Sequence, residues 1–298
     1  MPPPSKFVGQ FKVDEQYIHL LKDIENNGHE HVDRTGVGRK SVYGRQMRFD
    51  LTDGKLALLN TKQVYTKTAI KELLWFISGS TNIQSLQKEN CHIWDEWATE
   101  NGEIGPMYGY TWRHIGKDGV DQFSELIKNL KDYPYSSRHI VSAWIPSLIG
   151  YENVTPQQNV TRGYGALAPC HCMFQCFVTE QEGSQHLSLC LYLRSADVPV
   201  GTPFNIFQYS VLVHLLAREV GMQASELIVN FGDAHIYSNQ HDGVAEQINR
   251  YTQSQDLNCP QPWIDIQSEA DIFHLQHNDI IIQDYKPLGK IDFGDIAV

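Results

Sequence analysis

The sequence predicts a single α+β domain, in which helices and strands follow one another without a regular β-α-β order. Several segments carry apolar residues at helical spacing, and others alternate apolar and polar residues as strands do. No G-x-G-x-x-G or Walker pattern accompanies them, which argues against a doubly wound nucleotide-binding sheet. The 298 residues, 41% hydrophobic and 20% charged, suffice for one sizeable core within a domain spanning 1–298.

Four segments have the apolar spacing of helices. The first is followed by Gly28, the second runs to Gly79 and the third ends at Pro134, all residues that stop helices. The second segment is apolar around most of its circumference, which predicts a buried helix. The four predicted helices cover residues 14–27, 68–79, 118–134 and 205–221.

Four further segments read as strands, and the last two are joined by a polar turn near Gly183. Residues 146–165 are polar with several Gly and Pro, which predicts an excursion loop. The Pro-rich residues 1–10 are expected to be an extended or disordered tail. The predicted strands cover residues 41–49, 138–145, 170–178 and 186–194.

Composition excludes several classes of function. The formal net charge of -11 would repel duplex nucleic acid, so no such partner is expected. No stretch of about 18 apolar residues occurs, so no membrane span is predicted. The N-terminus lacks the basic and apolar regions of a signal peptide, and the 6 cysteines are therefore expected to be reduced thiols in a cytoplasmic protein.

The stretch ALAPCHC, residues 166–172, raises the question of what its cysteines do. Zinc sites commonly use C-x-x-C pairs, which this spacing does not match, and no metal is predicted. On a strand, Cys172 and Cys176 would share one face with Phe174, which is typical of a packed core. Cys170 stands where a loop meets the strand, and from these residues alone it could be either a core thiol or a nucleophile.

An ordered series of motifs extends over nearly the whole chain and resembles the thymidylate synthase family. The resemblance implies a bent mixed sheet with helices on one face, while the other face forms a homodimer interface with shared active sites. The motifs are DRTGVG, QMRFDL, KELLWFISGSTN, IWDEWATENGEIGPMYGYTWR, SSRHIVSAW, ALAPCH, RSADVPVGTPFNIFQYSVL, GDAHIYSNQ and the terminal Ala297-Val298.

The resemblance implies transfer of a one-carbon unit from 5,10-methylenetetrahydrofolate to C5 of dUMP. Cys170 matches the nucleophile that adds to C6 of the ring, and Arg194 matches the cation that lowers its pKa. Glu72 would relay protons toward O4, and Tyr108 would assist removal of the C5 proton. Asn205 would read uracil, since an aspartate there would suit cytosine.

The resemblance also implies residues that bind the two substrates, with Arg138 donated by the partner subunit. The dUMP residues are Arg34, Arg138, His139, Gln175, Arg194, Ser195, Asp197, Asn205, His235 and Tyr237. The folate residues are Lys62, Ile93, Trp94, Trp97, Asp197, Val200, Gly201, Phe204 and Val298, the last in a C-terminal segment that closes over the site.

Several positions depart from the family pattern and leave the product open. Methyl transfer would give dTMP and dihydrofolate, whereas attack of water would give 5-hydroxymethyl-dUMP, as in phage-type hydroxymethylases. A viral source, acting in the host cytoplasm, would suit these departures. A non-catalytic binding protein or an acidic structural module would be a different class of protein, and the presence of Cys170, Glu72 and Tyr108 argues against both. The departures are Asn60, Gln63, Lys71, His139, Leu193 and Val200-Gly201-Thr202.

Overall fold

The computed structural model describes residues 13–32, 36–116, 118–254 and 261–294. Its helices are α1 (Val13–Asn27), α2 (Thr66–Ser78), α3 (Gln84–Lys88), α4 (Tyr108–Arg113), α5 (Gln122–Asp132), α6 (Pro156–Thr161), α7 (Gly201–Val220) and α8 (His241–Gln253). Its strands are β1 (His29–His31), β2 (Arg39–Asp50), β3 (Ile140–Ser142), β4 (His171–Gln181), β5 (Ser184–Asp197), β6 (Gln223–Tyr237), β7 (Trp263–Ile266) and β8 (Ile280–Gln283).

A mixed sheet of six described strands organises the molecule, in the order β1-β2-β6-β5-β4-β3. Only β5 and β6 are parallel, and α7 provides the crossover between them. The strands β7 and β8 form a separate antiparallel pair. The predicted α+β class with a mixed sheet is therefore confirmed.

Helix α7 forms the centre of the core because it is apolar on nearly every side. Fourteen of its residues, including Ile206, Phe207 and Leu212, are buried. It ends at Gly221, whose φ of 73° lies in the left-handed region that glycine adopts without strain. The sheet and α2 pack around this helix, so the end of the sheet near the start of α7 is held rigidly.

The alternation along β4 confirms the expected core face. Cys172, Phe174 and Cys176 are buried, while Met173 and Phe177 point to the opposite face and are exposed. Burial raises the pKa of the Cys176 thiol to about 12, which makes it an unreactive core residue. These side chains on the opposite face of the sheet form an apolar surface that the described part of the chain leaves exposed.

The four predicted helices and four predicted strands are confirmed with shifted ends. The strand predicted over 138–145 shortens to β3, and the predicted excursion loop 146–165 contains α6 and a 3-10 turn at Pro146–Leu148. The elements that were not predicted are β1, β6, β7, β8, α3, α4 and α8. The tail 1–10 lies outside the described residues, and no helix in the described ranges is long and apolar enough to cross a membrane.

A buried carboxylate ties α1 to the segment that precedes α2. Asp14 is 6% exposed and accepts hydrogen bonds from the backbone N–H groups of Asn60 and Thr61 and from the Thr61 hydroxyl. Gln247 of α8 donates to the same hydroxyl at 2.9 Å. This network fixes the backbone immediately before Lys62, a predicted folate residue.

We expect Asp14→Ala to lower the free energy of unfolding by about 3 kcal/mol, because it leaves several buried donors without an acceptor. Urea denaturation followed by circular dichroism measures this loss. Glu15→Ala, one position along the same helix and only partly buried, is the control and should change stability by about 0.5 kcal/mol or less. Equal losses in the two variants would contradict the assigned role of Asp14.

Candidate active site

The sheet brings three separate segments together at one end. Strand β5 ends in the segment Arg194–Asp197, and parallel β6 ends beside it, with Ser195 opposite Asp233 and Asp197 opposite His235. Strand β4 runs the other way, so Cys170, just before its first residue, meets the same end. Strand pairing between distant parts of the sequence thus brings the predicted nucleophile, cation and ribose ligands together.

A cavity of about 440 Å³ opens at this end of the sheet. Four predicted catalytic or dUMP residues line it, namely Cys170, Arg194, Ser195 and Tyr237, and Trp97 closes one side. A neighbouring compartment of about 570 Å³ shares Trp97 and part of segment 146–165 with the first. The segment that the sequence marks as an excursion loop therefore forms walls of both compartments.

Arg194 fastens the segment that carries the nucleophile. Its guanidinium donates to the carbonyls of Pro169 at 2.9 Å and Ala168 at 2.7 Å, and it lies over the ring of Trp144. The backbone N–H of Arg194 also donates to the carbonyl of Cys170 at 2.9 Å. The cation is therefore adjacent to the thiol and fixed by contacts to its own loop.

The electrostatic balance at Cys170 differs from the expectation that Arg194 leaves the thiol with a lowered pKa. Burial raises the pKa of the Cys170 thiol, the positive charge of Arg194 lowers it, and Asp197 raises it again. The net pKa lies above the ordinary value of 9.0, because desolvation outweighs the guanidinium. In the unliganded protein this thiol is protonated at neutral pH.

Glu72 lies on α2 and is held by two donors. The indole N–H of Trp94 donates to Oε1 at 2.7 Å, and the Gln208 amide donates to Oε2 at 2.5 Å. Burial raises the pKa of this carboxyl to about 7, although both hydrogen bonds lower it. Glu72 can therefore exchange a proton near neutral pH, as a proton relay requires.

Tyr108 directly contacts Cys170, the predicted nucleophile. Its hydroxyl accepts a hydrogen bond from the backbone N–H of Cys170 at 2.9 Å, and its ring stacks on His171 at 3.8 Å. Burial raises the pKa of Tyr108 well above 10, and burial lowers the pKa of His171 to about 3. The tyrosine is thus a neutral hydroxyl beside Cys170, and the histidine is a neutral core ring.

A second polar group lies around Asp197, where two predicted folate residues meet. The carboxylate accepts from the Val200 backbone N–H at 3.2 Å and from the Gln240 amide at 3.1 Å. Burial raises the pKa of Asp197. The Lys62 ammonium donates to the Pro199 carbonyl at 2.7 Å, and burial lowers its pKa to about 8.

Asn205 lies within the first two turns of α7, which begins earlier, at Gly201, so it is not the N-cap of this helix. Its side chain is half-buried and has no hydrogen-bond partner among the described residues. His235 and Tyr237 lie together, with ring centroids 5.0 Å apart. Ile93, Val200 and Phe204 are partly buried against the core.

Three predicted dUMP residues lie together but away from this cavity. Arg138 is exposed, and the Gln175 amide donates to the Ser137 carbonyl at 2.9 Å. His139 is 1% exposed and its Nε2 lies 3.0 Å from the Tyr133 carbonyl, so it points into its own chain.

Two predicted site residues, Arg34 and Val298, fall outside the described residues. The sequence analysis did not identify Arg39 or Asp233, which line the cavity, or Gln208 and Gln240, which hold the carboxylates. Among the described residues no group of three or more acidic, cysteine or histidine side chains could hold a metal ion.

A half-enclosed thiol beside a fixed guanidinium, with a buried carboxyl and a tyrosine hydroxyl nearby, is the arrangement expected of an α+β enzyme with a cysteine nucleophile. The thymidylate synthase family model matches residues 15–298. The thymidylate synthase of Francisella philomiragia subsp. philomiragia is 43% identical over 271 residues, which cover 91% of this chain and 95% of that protein. That of Francisella tularensis subsp. holarctica is 43% identical over 270 residues, with the same coverage. The chain belongs to the thymidylate synthase family, as the motifs indicated.

We expect alkylation of Cys170 by iodoacetamide in the unliganded protein to accelerate as pH rises through 9.0 and beyond, because burial raises the pKa of its thiol. Peptide mass spectrometry at each pH measures this reaction separately from the other cysteines. Arg194→Gln should move the midpoint to still higher pH, while the buried Cys176 should stay unmodified in the folded protein. A midpoint well below 9.0 would contradict the dominance of burial.

Proposed function

We propose that this protein methylates dUMP at C5 with 5,10-methylenetetrahydrofolate and releases dTMP and dihydrofolate. The observation that carries the proposal is the placement of Cys170 on the wall of the cavity, bonded through its backbone to Arg194 and Tyr108. Family membership supplies the reaction, and this geometry supplies the nucleophile for it. The chain is an enzyme that transfers a methyl group.

The thiol of Cys170 would add to C6 of uracil, which increases the electron density at C5. Because burial keeps this thiol protonated in the free protein, its ionisation must accompany nucleotide binding. Arg194 is the adjacent group that stabilises the thiolate, and its contacts to Pro169 and Ala168 keep the charge in place. Ser195, next in sequence and on the same cavity wall, would contact the phosphate.

Glu72 and Tyr108 would take part in proton transfer at O4 and C5 of the ring. A carboxyl with a pKa of about 7 can protonate O4 through water and later recover the proton. The neutral hydroxyl of Tyr108, at the Cys170 backbone, would assist departure of the C5 proton. Gln208 and Trp94 hold Glu72 in place by occupying both of its oxygens.

Two further features support the choice of substrates. The unpartnered amide of Asn205 can donate to O4 and accept from N3–H of uracil, a pattern that cytosine does not match. The indole of Trp97 and the side chain of Leu167 offer an apolar wall for the folate rings, and folate supplies the carbon and the reducing hydride. Lys62, Asp197 and the C-terminal Val298 are proposed to contact the same co-substrate.

We further propose a homodimer formed through the open face of the sheet. Tyr43, Met173 and Phe177 are 76%, 37% and 61% exposed there, an unusual apolar surface for a single chain. Arg138 lies exposed at the β3 end and would enter the partner's active site as a phosphate ligand. His139, buried in its own chain, would position this segment rather than bind phosphate.

The relatives support methylation over hydroxymethylation. Leu193, one of the departures from the family pattern, is fully buried in β5, where it contributes to the core. Gln63 donates its backbone N–H to Gly289, and Asn60 receives its position from Asp14. The contacts of Gln63 and Asn60 are made by their backbones, so they do not depend on the side chains that depart from the family pattern.

Incubation with dUMP and methylenetetrahydrofolate should produce dihydrofolate, measured by absorbance, and dTMP, measured by mass spectrometry. Cys170→Ala should reduce turnover by at least about a thousandfold, because it removes the nucleophile. Cys190→Ala, which alters another half-buried thiol on β5, is the control and should remain active. A 5-hydroxymethyl product with no dihydrofolate would instead support the hydroxymethylase, and a fully active Cys170→Ala would reject the mechanism.

We expect kcat to fall as pH rises through about 7, because Glu72 retains its proton only below that value. Glu72→Gln cannot titrate, so it should have a lower kcat, by about a hundredfold or more, and no such descending limb. The pH profile of tritium release from C5 of labelled dUMP measures both effects. Glu89→Gln, on the exposed end of α3, should keep the wild-type profile. Persistence of the limb in Glu72→Gln would assign it to another group.

A further inference from the structure

The ion pair between Arg39 and Asp233 lies beside the proposed nucleotide cavity and has no role in the proposed mechanism. Arg39 begins β2, and its Nη2 lies 2.8 Å from Oδ2 of Asp233 on β6. The other carboxylate oxygen of Asp233 lies 3.3 Å from Nδ1 of His235. The Arg39 Nε also donates to His31 at 3.1 Å, so the guanidinium is anchored from two sides. Both members of the ion pair line the cavity.

Asp233 places a negative charge where the phosphate is expected. It is the register partner of Ser195 across the parallel strands β5 and β6, and such partners lie about 5 Å apart. Burial raises the pKa of Asp233, but the contacts with His235 and Arg39 together lower it by more. The net pKa is therefore below the ordinary value. An ionised carboxylate therefore lies next to a proposed phosphate ligand.

The charges of the residues that line the cavity show how the ionised Asp233 affects phosphate binding. Among the residues that the structure describes, the cationic lining residues are Arg39 and Arg194, and the acidic ones are Glu152 and Asp233. Without Arg39, the described part of this wall would carry more negative than positive charge. A phosphate dianion is strongly disfavoured next to an uncompensated carboxylate, since the half-buried site screens the repulsion poorly.

We propose that Arg39 is a further determinant of nucleotide binding, because it cancels the charge of Asp233 beside Ser195 and so allows the phosphate to enter. The inference rests on the proposed function, since it takes dUMP as the ligand. Arg39 acts through Asp233, so it is a positioning residue rather than a catalytic one.

Three variants of the full chain test the proposal by isothermal titration with dUMP. Arg39→Gln should weaken dUMP binding by about tenfold, because it exposes the Asp233 charge to the phosphate. Arg39→Gln combined with Asp233→Asn should restore binding to within about threefold, since the pair becomes neutral and the introduced amide oxygen can still accept from His235. Arg48→Gln is the matched control, because Arg48 pairs with Glu226 between the same two strands at 3.5 Å, away from the cavity lining.

Rescue by the double variant separates a charge effect from a structural one, because both Arg39 variants lose the same ion pair. Thermal denaturation confirms that each variant is folded. Undiminished binding by Arg39→Gln, equal weakening by Arg48→Gln, or no recovery in the double variant would overturn the proposal. Failure of the wild-type protein to bind dUMP would instead defeat the proposed function, so the two failures are distinguishable.

Discussion

The active site depends on the hydrogen bonds between Arg194 and the loop that carries Cys170. The guanidinium binds two carbonyls of that loop, and the Arg194 backbone binds a third, at Cys170 itself. Because Arg194 belongs to β5 and Cys170 precedes β4, these contacts fix the proposed nucleophile relative to the sheet. Parallel pairing of β5 with β6 then adds His235 to the same rigid frame.

Burial is the second constraint, and it controls when the chemistry can start. Desolvation raises the pKa of Cys170 above its ordinary value and that of Glu72 to about 7, so the thiol is protonated at neutral pH while the carboxyl can exchange its proton there. A reactive thiolate is therefore not exposed before the substrate arrives. The cost of burying Glu72 is reduced by Trp94 and Gln208, which donate to both of its oxygens.

Local patterns were sufficient to predict α1, α2, α5 and α7, the β4–β5 hairpin and the buried face that Cys172 and Cys176 share. They did not predict β6, because both faces of that strand are partly covered and its burial alternates only over residues 227–231. The motif resemblance supplied the nucleophile and its partners. It could not supply the ion pair of Arg39 and Asp233, because that interaction is created by strand register between distant parts of the chain.

Segment 146–165 shows how one part of the chain can change the shape of a site without contributing to its chemistry. Asn159 binds both the N–H and the carbonyl of Tyr151 at 2.9 Å, and α6 begins with a capping box at Thr155. The Gln157 amide reaches across to the Glu96 carbonyl at 2.7 Å. These internal bonds give the segment a defined structure, so the compartment it forms beside Trp97 has fixed walls. A cavity with walls built in this way can select the shape of a co-substrate, while the reaction is proposed to take place at Cys170 and Arg194 in the adjoining compartment.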